Sequence, residues 1–215
     1  MDGLHFIYFA DPMCSWCYGF APAVRTLRRR YGDVLPIRPV MGGLRPGVTE
    51  PMPEQARRGL VHHWEEIAAM SGQPFDAGLA EREGFVYDTD PAARAVVLAR
   101  RTSDDEALDL LERLHLAFYA EGRDITDPAE LALIAAEQGF DATAFETQLA
   151  DEALKNETWR DYAISQRAGV TGFSTLIVGP NADNTYAAVN RGYQDAESVL
   201  TGVEHWLANV RAAAE

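Results

Sequence analysis

Cysteine is scarce in this 215-residue chain: there are two, Cys14 and Cys17, three apart near the N-terminus. A secreted disulfide scaffold spreads its cysteines to close long loops, and a pair this close closes almost nothing. The pair is therefore expected to serve chemistry or metal binding rather than stapling. Positive charge is also in short supply. The net charge of −14 argues against a nucleic-acid partner, which needs clustered Lys and Arg to displace counterions. Arg28, Arg29 and Arg30 form the one compact basic run, and it suits a solvated helix face. No apolar run approaches the ~20 residues that span a bilayer, so no membrane partner is expected. The first residues, Met1-Asp2-Gly3-Leu4-His5, offer neither a basic region nor an apolar signal core. A cytoplasmic location is expected. Internal repeats and low-complexity segments are lacking as well.

What is present is an ordinary globular composition, 47% hydrophobic and 24% charged. His5–Ala10 is rich in aromatic and β-branched residues and predicts a buried strand. Asp11-Pro12-Met13 breaks it. A helix is expected from near Cys14, with Phe20, Val24, Leu27 and Tyr31 along one face, a kink at Pro22 and an end at Gly32-Asp33. Leu35–Met41 predicts a second strand, its prolines placing it at an edge. From about Pro53 to Gly169 the pattern turns helical. Asp90-Pro91 and Asp127-Pro128 each suggest a cap followed by proline at the first helical position, and Asp127 with Glu130 has capping-box spacing. Leu108, Leu111, Leu114 and Phe118 form one apolar stripe, Phe145 and Leu149 another, and Tyr162 follows in the last helix of the block. Thr175–Val178 and Thr185–Val189 flank a turn over 179–184, and a closing helix carries Val199, Val203, Trp206 and Val210. The order predicts an α/β fold: a sheet domain over 1–45 and 170–215, interrupted by an all-helical insertion over 46–169.

A Cys-x-x-Cys pair at a strand-to-helix junction has a specific chemical meaning. The first sulfur sits where unpaired N–H groups and the helix dipole favour a thiolate. The second lies one turn away, within reach of a mixed disulfide formed on the first. Cys14 is thus the candidate nucleophile and Cys17 the resolving thiol. The alternative, half of a zinc site, lacks partners: zinc takes four ligands, and the chain has no second cysteine pair. Adjacent His62 and His63 point in different directions on a helix and lack the His-Glu-x-x-His spacing of a zinc protease. No metal and no cofactor is expected.

The segment Tyr8–Pro22, containing Asp-Pro-Met-Cys-Ser-Trp-Cys-Tyr-Gly-Phe-Ala-Pro, resembles the active-site segment of the DsbA-like thioredoxin family, most of all its cytosolic disulfide-isomerase branch. The resemblance continues through Val40–Gly47, Glu83–Asp88, Phe118–Ile125 and Gly169–Phe173, and so covers nearly the whole chain. It implies a thioredoxin-like fold with an inserted helical domain, and dithiol–disulfide exchange as the activity.

Two positions depart from that family. Where its members carry a cis-proline facing the cysteines, this chain has Ser174. A cis bond before a non-proline residue costs ~2.5–4 kcal/mol, so the Phe173–Ser174 peptide is expected to be trans. Either the loop keeps its path, or exchange is altered and the Ser174 hydroxyl bonds a Cys14 thiolate. Many members also bury an acidic residue in the first strand, and Tyr8 stands at the corresponding position. Asp11, the nearest carboxylate, is expected to serve the turn or cap the helix. Trp16, Phe173 and Ser174 are candidate substrate contacts, since the loop at Ser174 pairs with extended substrate in the family, with partial cover of the disulfide as the plainer role of Trp16.

Protein or small-molecule thiols and disulfides, glutathione among them, are the expected partners, with net reduction or isomerisation favoured in a reducing compartment. Two alternatives remain open. One is a glutathione-dependent transferase or isomerase, although such relatives usually carry serine in place of Cys14. The other is a partner-binding module with impaired redox chemistry.

Overall fold

The computed structural model describes residues 3–181 and 183–212. Strand β1 (His5–Ala10) lies at the centre of a four-stranded mixed sheet of order β2-β1-β3-β4, with β2 over Ile37–Met41, β3 over Thr175–Gly179 and β4 over Ala187–Arg191. β1 pairs parallel to β2 with Phe9 opposite Val40, and antiparallel to β3 with Tyr8 opposite Leu176. β2 is an edge strand, where a proline that cannot donate to the ladder is tolerated. The turn expected over 179–184 contains Ala182, which lies outside the described residues.

Helix α1 (Ser15–Tyr31) crosses between β1 and β2, and its predicted stripe of Phe20, Val24 and Leu27 is buried. Pro22 lies inside it. Seven helices then separate β2 from β3: α2 (Glu54–Ser71), α3 (Gly78–Glu81), α4 (Asp90–Arg100), α5 (Asp104–Tyr119), α6 (Pro128–Glu137), α7 (Ala142–Leu149) and α8 (Glu152–Arg167). Helix α9 (Ala196–Ala212) closes the described chain against α1 and β4, burying Val199 and Val203. The helical block and the sheet share one core. Phe6 and Tyr8 on β1 belong to the same buried cluster as Leu108, Leu111, Leu114 and Phe118 on α5.

A buried ion pair ties the two regions together. Arg100 on α4 bonds both carboxylate oxygens of Asp161 on α8, at 2.6 and 2.9 Å. Asp161 also accepts the amide of Met41 at 2.9 Å, and Arg100 donates to the carbonyl of Pro39 at 2.8 Å. The edge strand β2 is thereby bonded to two helices, and the carboxylate's lone pairs are satisfied where burial would otherwise be costly.

The two proposed Asp-Pro caps behave differently. Asp127 caps α6, accepting the Ala129 amide at 3.0 Å, while Glu130 turns away to Arg123 instead of completing a capping box. Asp90 does not cap α4: Thr89 holds that position, and Pro91 is one place further in. The Asp90 carboxylate is buried and bonds Tyr162 and Arg94. Arg94 is one turn along the same helix, but Tyr162 lies 72 residues away, a pairing that local spacing does not show.

Candidate functional site

The two cysteines sit where β1 ends and α1 begins. Cys14 is the N-cap residue of α1, with extended backbone angles and no side-chain capping bond, so its sulfur stands at the helix start. The turn is held by Asp11, whose carbonyl accepts the Cys14 amide at 3.0 Å. Both cysteines are free thiols, Cys14 5% exposed and Cys17 fully enclosed one turn along. The Cys14 sulfur faces the carbonyl of Phe173 at 3.7 Å, which brings the β3-side loop over the pair.

That loop differs from expectation. The Phe173–Ser174 peptide is cis, not trans. Its surroundings hold the path: the Ser174 carbonyl accepts the Gly192 amide at 2.8 Å, the Ser174 hydroxyl donates to the Gly192 carbonyl at 3.1 Å, and Asn190 donates to that hydroxyl at 3.3 Å. Thr175 adds a bond to the Gly172 carbonyl at 2.8 Å. The Ser174 hydroxyl is therefore committed to β4 and its following turn, not to Cys14.

Phe173 lies beside the pair through its backbone, while its ring packs on Gly42. A Cβ built at Gly42 would meet that ring at 2.2 Å, so the close approach requires glycine. Trp16 is half-buried between His63 of α2 and Tyr193, with ring centroids at 5.1 and 6.0 Å. Trp16, on α1, meets the helical insertion through His63, and Phe173 comes from the loop before β3. Leu44 is exposed on the loop after β2.

Asp11 serves the turn as expected, its carboxylate accepting the Met13 amide at 2.9 Å. It is also wholly buried, and its second oxygen takes the Leu44 amide at 2.9 Å. Burial pushes its carboxyl up to about 6, against the pull of those amides. The Cys17 thiol is driven well above its ordinary range, by burial first and then by the adjoining Cys14 sulfur. Cys17 is held protonated.

Three buried groups around the pair escaped sequence reasoning. His115 of α5 bonds the Asp11 carbonyl through Nε2 at 3.1 Å, and burial pulls its imidazole down to about 4. Tyr87 donates to the Met13 carbonyl at 2.5 Å and meets the Tyr119 hydroxyl at 3.3 Å. The signal for His115 was present: four residues past Leu111 and three before Phe118, it lies on the apolar stripe of α5. His62 and His63 instead sit on α2 with Glu65 and Glu66, and the described residues contain no cluster of three or more His, Cys, Asp or Glu side chains able to hold a metal.

The profile of the DSBA-like thioredoxin domain matches residues 6–197. The chain belongs to this family. Among solved structures, a protein of Nitrosomonas europaea provisionally named a protein disulfide isomerase is 29% identical, with a TM-score of 0.88 over 96% of this chain and 98% of that one. The cytosolic disulfide reductase DsbM of Pseudomonas aeruginosa is 27% identical, with a TM-score of 0.77 over 95% of this chain and 98% of its own, and has also been solved with GSH. Among curated proteins, the ClpXP adapter protein SpxH of Bacillus subtilis is 24% identical over 174 residues, 80% of this chain. The chain spans 57% of that relative's length. Among the described residues, no helix is long and apolar enough to cross a membrane.

Proposed function

We propose that this DSBA-family chain is a cytosolic thiol–disulfide oxidoreductase that reduces or isomerises disulfides through Cys14 and Cys17. The supporting observation is the placement of Cys14: its sulfur stands at the start of α1, under the Phe173 carbonyl at 3.7 Å, with the Cys17 thiol enclosed behind it. A thiolate at Cys14 attacks one sulfur of a substrate disulfide, forming a mixed disulfide and releasing the other sulfur as a thiolate that takes up a proton. Cys17 then loses its proton and attacks the Cys14 sulfur. The Cys14–Cys17 disulfide forms, and the second substrate thiolate leaves. Two thiols of an external reductant return the pair to the dithiol, and glutathione is the reductant favoured by the DsbM likeness.

Trp16 and Phe173 contact the substrate flanking the reacting sulfur, and Ser174 holds the loop that presents the Phe173 carbonyl. Turnover of insulin or a glutathione mixed disulfide tests the assignment. Cys14→Ser abolishes turnover if Cys14 is the nucleophile. Glutathione-dependent transfer surviving that substitution would favour the transferase or isomerase alternative. A partner-binding role draws support from the SpxH relatives; partner capture undiminished in Cys14→Ser, with no turnover in the parent protein, would favour it.

A further inference from the structure

Cys17 must lose a proton to resolve a mixed disulfide, yet it is enclosed and held protonated. The β1 position expected to hold an acid carries Tyr8. The Tyr8 hydroxyl faces the Cys17 thiol and, among the described residues, has no protein hydrogen bond of regular geometry. Nearby, the Asp11 backbone links Cys17 to His115: its amide acts on the thiol, and its carbonyl bonds His115 Nε2. That bond fixes the tautomer of a neutral imidazole. With Nε2 donating, Nδ1 carries the free lone pair, and Nδ1 is the second buried atom here without a protein partner among the described residues. Tyr8 and His115 line the same cavity, between β1, α1 and α5. Its walls include Leu108 and Leu111, and its outer end reaches Arg28 and Glu112, both partly open to solvent. The space available to water centres is about 10 Å³, room for about one molecule.

We infer that Tyr8 and His115, joined by one water in this cavity, form the proton path that deprotonates Cys17 during resolution. The inference rests on the dithiol function proposed above. As Cys17 attacks the Cys14 sulfur, its proton passes to the Tyr8 oxygen and the tyrosine's own proton passes to the water. The water, oriented by His115 Nδ1, yields a proton outward past Glu112 to solvent, and the departing substrate thiolate takes up a proton from solvent. Charge and atoms balance, and Tyr8 ends neutral. Tyr8 touches the reacting thiol; His115 acts through the water and is a positioning residue. The groups that face this path are Cys14, Asp11 and Tyr8 at the β1–α1 junction, Tyr87 beyond Met13, Arg28 on α1, and Glu112 and Tyr119 on α5.

The test mixes reduced protein with oxidised glutathione, quenches with acid and resolves mixed from internal disulfide by mass spectrometry. Tyr8→Phe is expected to slow the resolving step on the order of 100-fold and to make its rate climb steeply with pH, because bulk base must then reach Cys17. The first step, measured in a Cys17→Ser background, stays within a factor of about two, far below a general acid–base effect. His115→Phe slows resolution, and His115→Gln, which keeps a donor for the Asp11 carbonyl and an acceptor for the water, restores most of it. Should His115→Phe fail to fold, Tyr8→Phe and the pH profile decide. Wild-type resolving rates and an unchanged pH profile in Tyr8→Phe would overturn the path while leaving the dithiol function standing. If the parent protein forms neither mixed nor internal disulfide, the dithiol function falls and the path with it.

Discussion

His115 donates its Nε2–H to the main-chain carbonyl of Asp11 at 3.1 Å, across 104 residues of sequence. The same carbonyl accepts the Cys14 amide, so a helix of the inserted block supports the turn that carries the cysteine pair. The two side chains also respond to burial in opposite ways. Burial lowers the imidazole from 6.5 to about 4 and raises the Asp11 carboxyl from 3.8 to about 6.

Their effects on stability therefore oppose each other. Between pH 6.5 and about 4 the unfolded chain protonates at His115 before the folded one, so stability falls as pH falls. From about 6 down to 3.8 the folded chain protonates first at Asp11, so stability rises as pH falls. Each change is on the order of 3 kcal/mol at its limit. In His115→Gln only the Asp11 effect remains, and stability relative to the parent should improve on going from pH 7 to pH 4.5. Urea midpoints at the two pH values measure this; an equal change in both proteins would contradict it.

Arg100 and Asp161 bind β2 to the helical block. Asp161→Ala strands a guanidinium that is 10% exposed and removes the acceptor of the Met41 amide. A loss of about 3–5 kcal/mol is expected in urea unfolding. A change below about 1 kcal/mol, the scale of an exposed pair, would show that the bridge is dispensable.

Gly42→Ala places a methyl group into the Phe173 ring. Overpacking of this kind costs about 1–3 kcal/mol, and the ring's retreat drags the Phe173 carbonyl from Cys14. Exchange should slow more than stability alone explains. An unchanged rate with glutathione disulfide would mean that the carbonyl's position does not matter.

Ser174→Ala removes the donor to the Gly192 carbonyl and the acceptor of Asn190, whose own carbonyl oxygen already lacks a partner. A destabilisation of about 1–3 kcal/mol follows. Since the hydroxyl does not reach Cys14, alkylation of Cys14 at a fixed pH should be unaffected. A marked change in that rate would restore a direct role for Ser174.

The βαβ start, the edge position of β2, the helical block and the closing ββα order were all legible from periodicity and from the proline and glycine breaks. So was the junction carrying Cys14, because Asp11-Pro12-Met13 breaks the strand and the Cys-x-x-Cys pair follows at the helix start. Long-range pairings were not legible. Asp90 looked like a cap and proved to be a partner of Tyr162, 72 residues away. His115 lay hidden in a leucine stripe, its role set by a carbonyl 104 residues away. The cis Phe173–Ser174 peptide and the bonds that tie Ser174 to Gly192 and Asn190 are not anticipated by any local rule.

The most direct measurement is mass-spectrometric trapping after exposure to oxidised glutathione. Cys17→Ser should accumulate one glutathione, mapped to Cys14, and the parent protein should pass through that adduct to an internal disulfide. An adduct mapped to Cys17 in Cys14→Ser at a comparable rate, or no adduct in any of the three proteins, would contradict Cys14 as the exchanging sulfur.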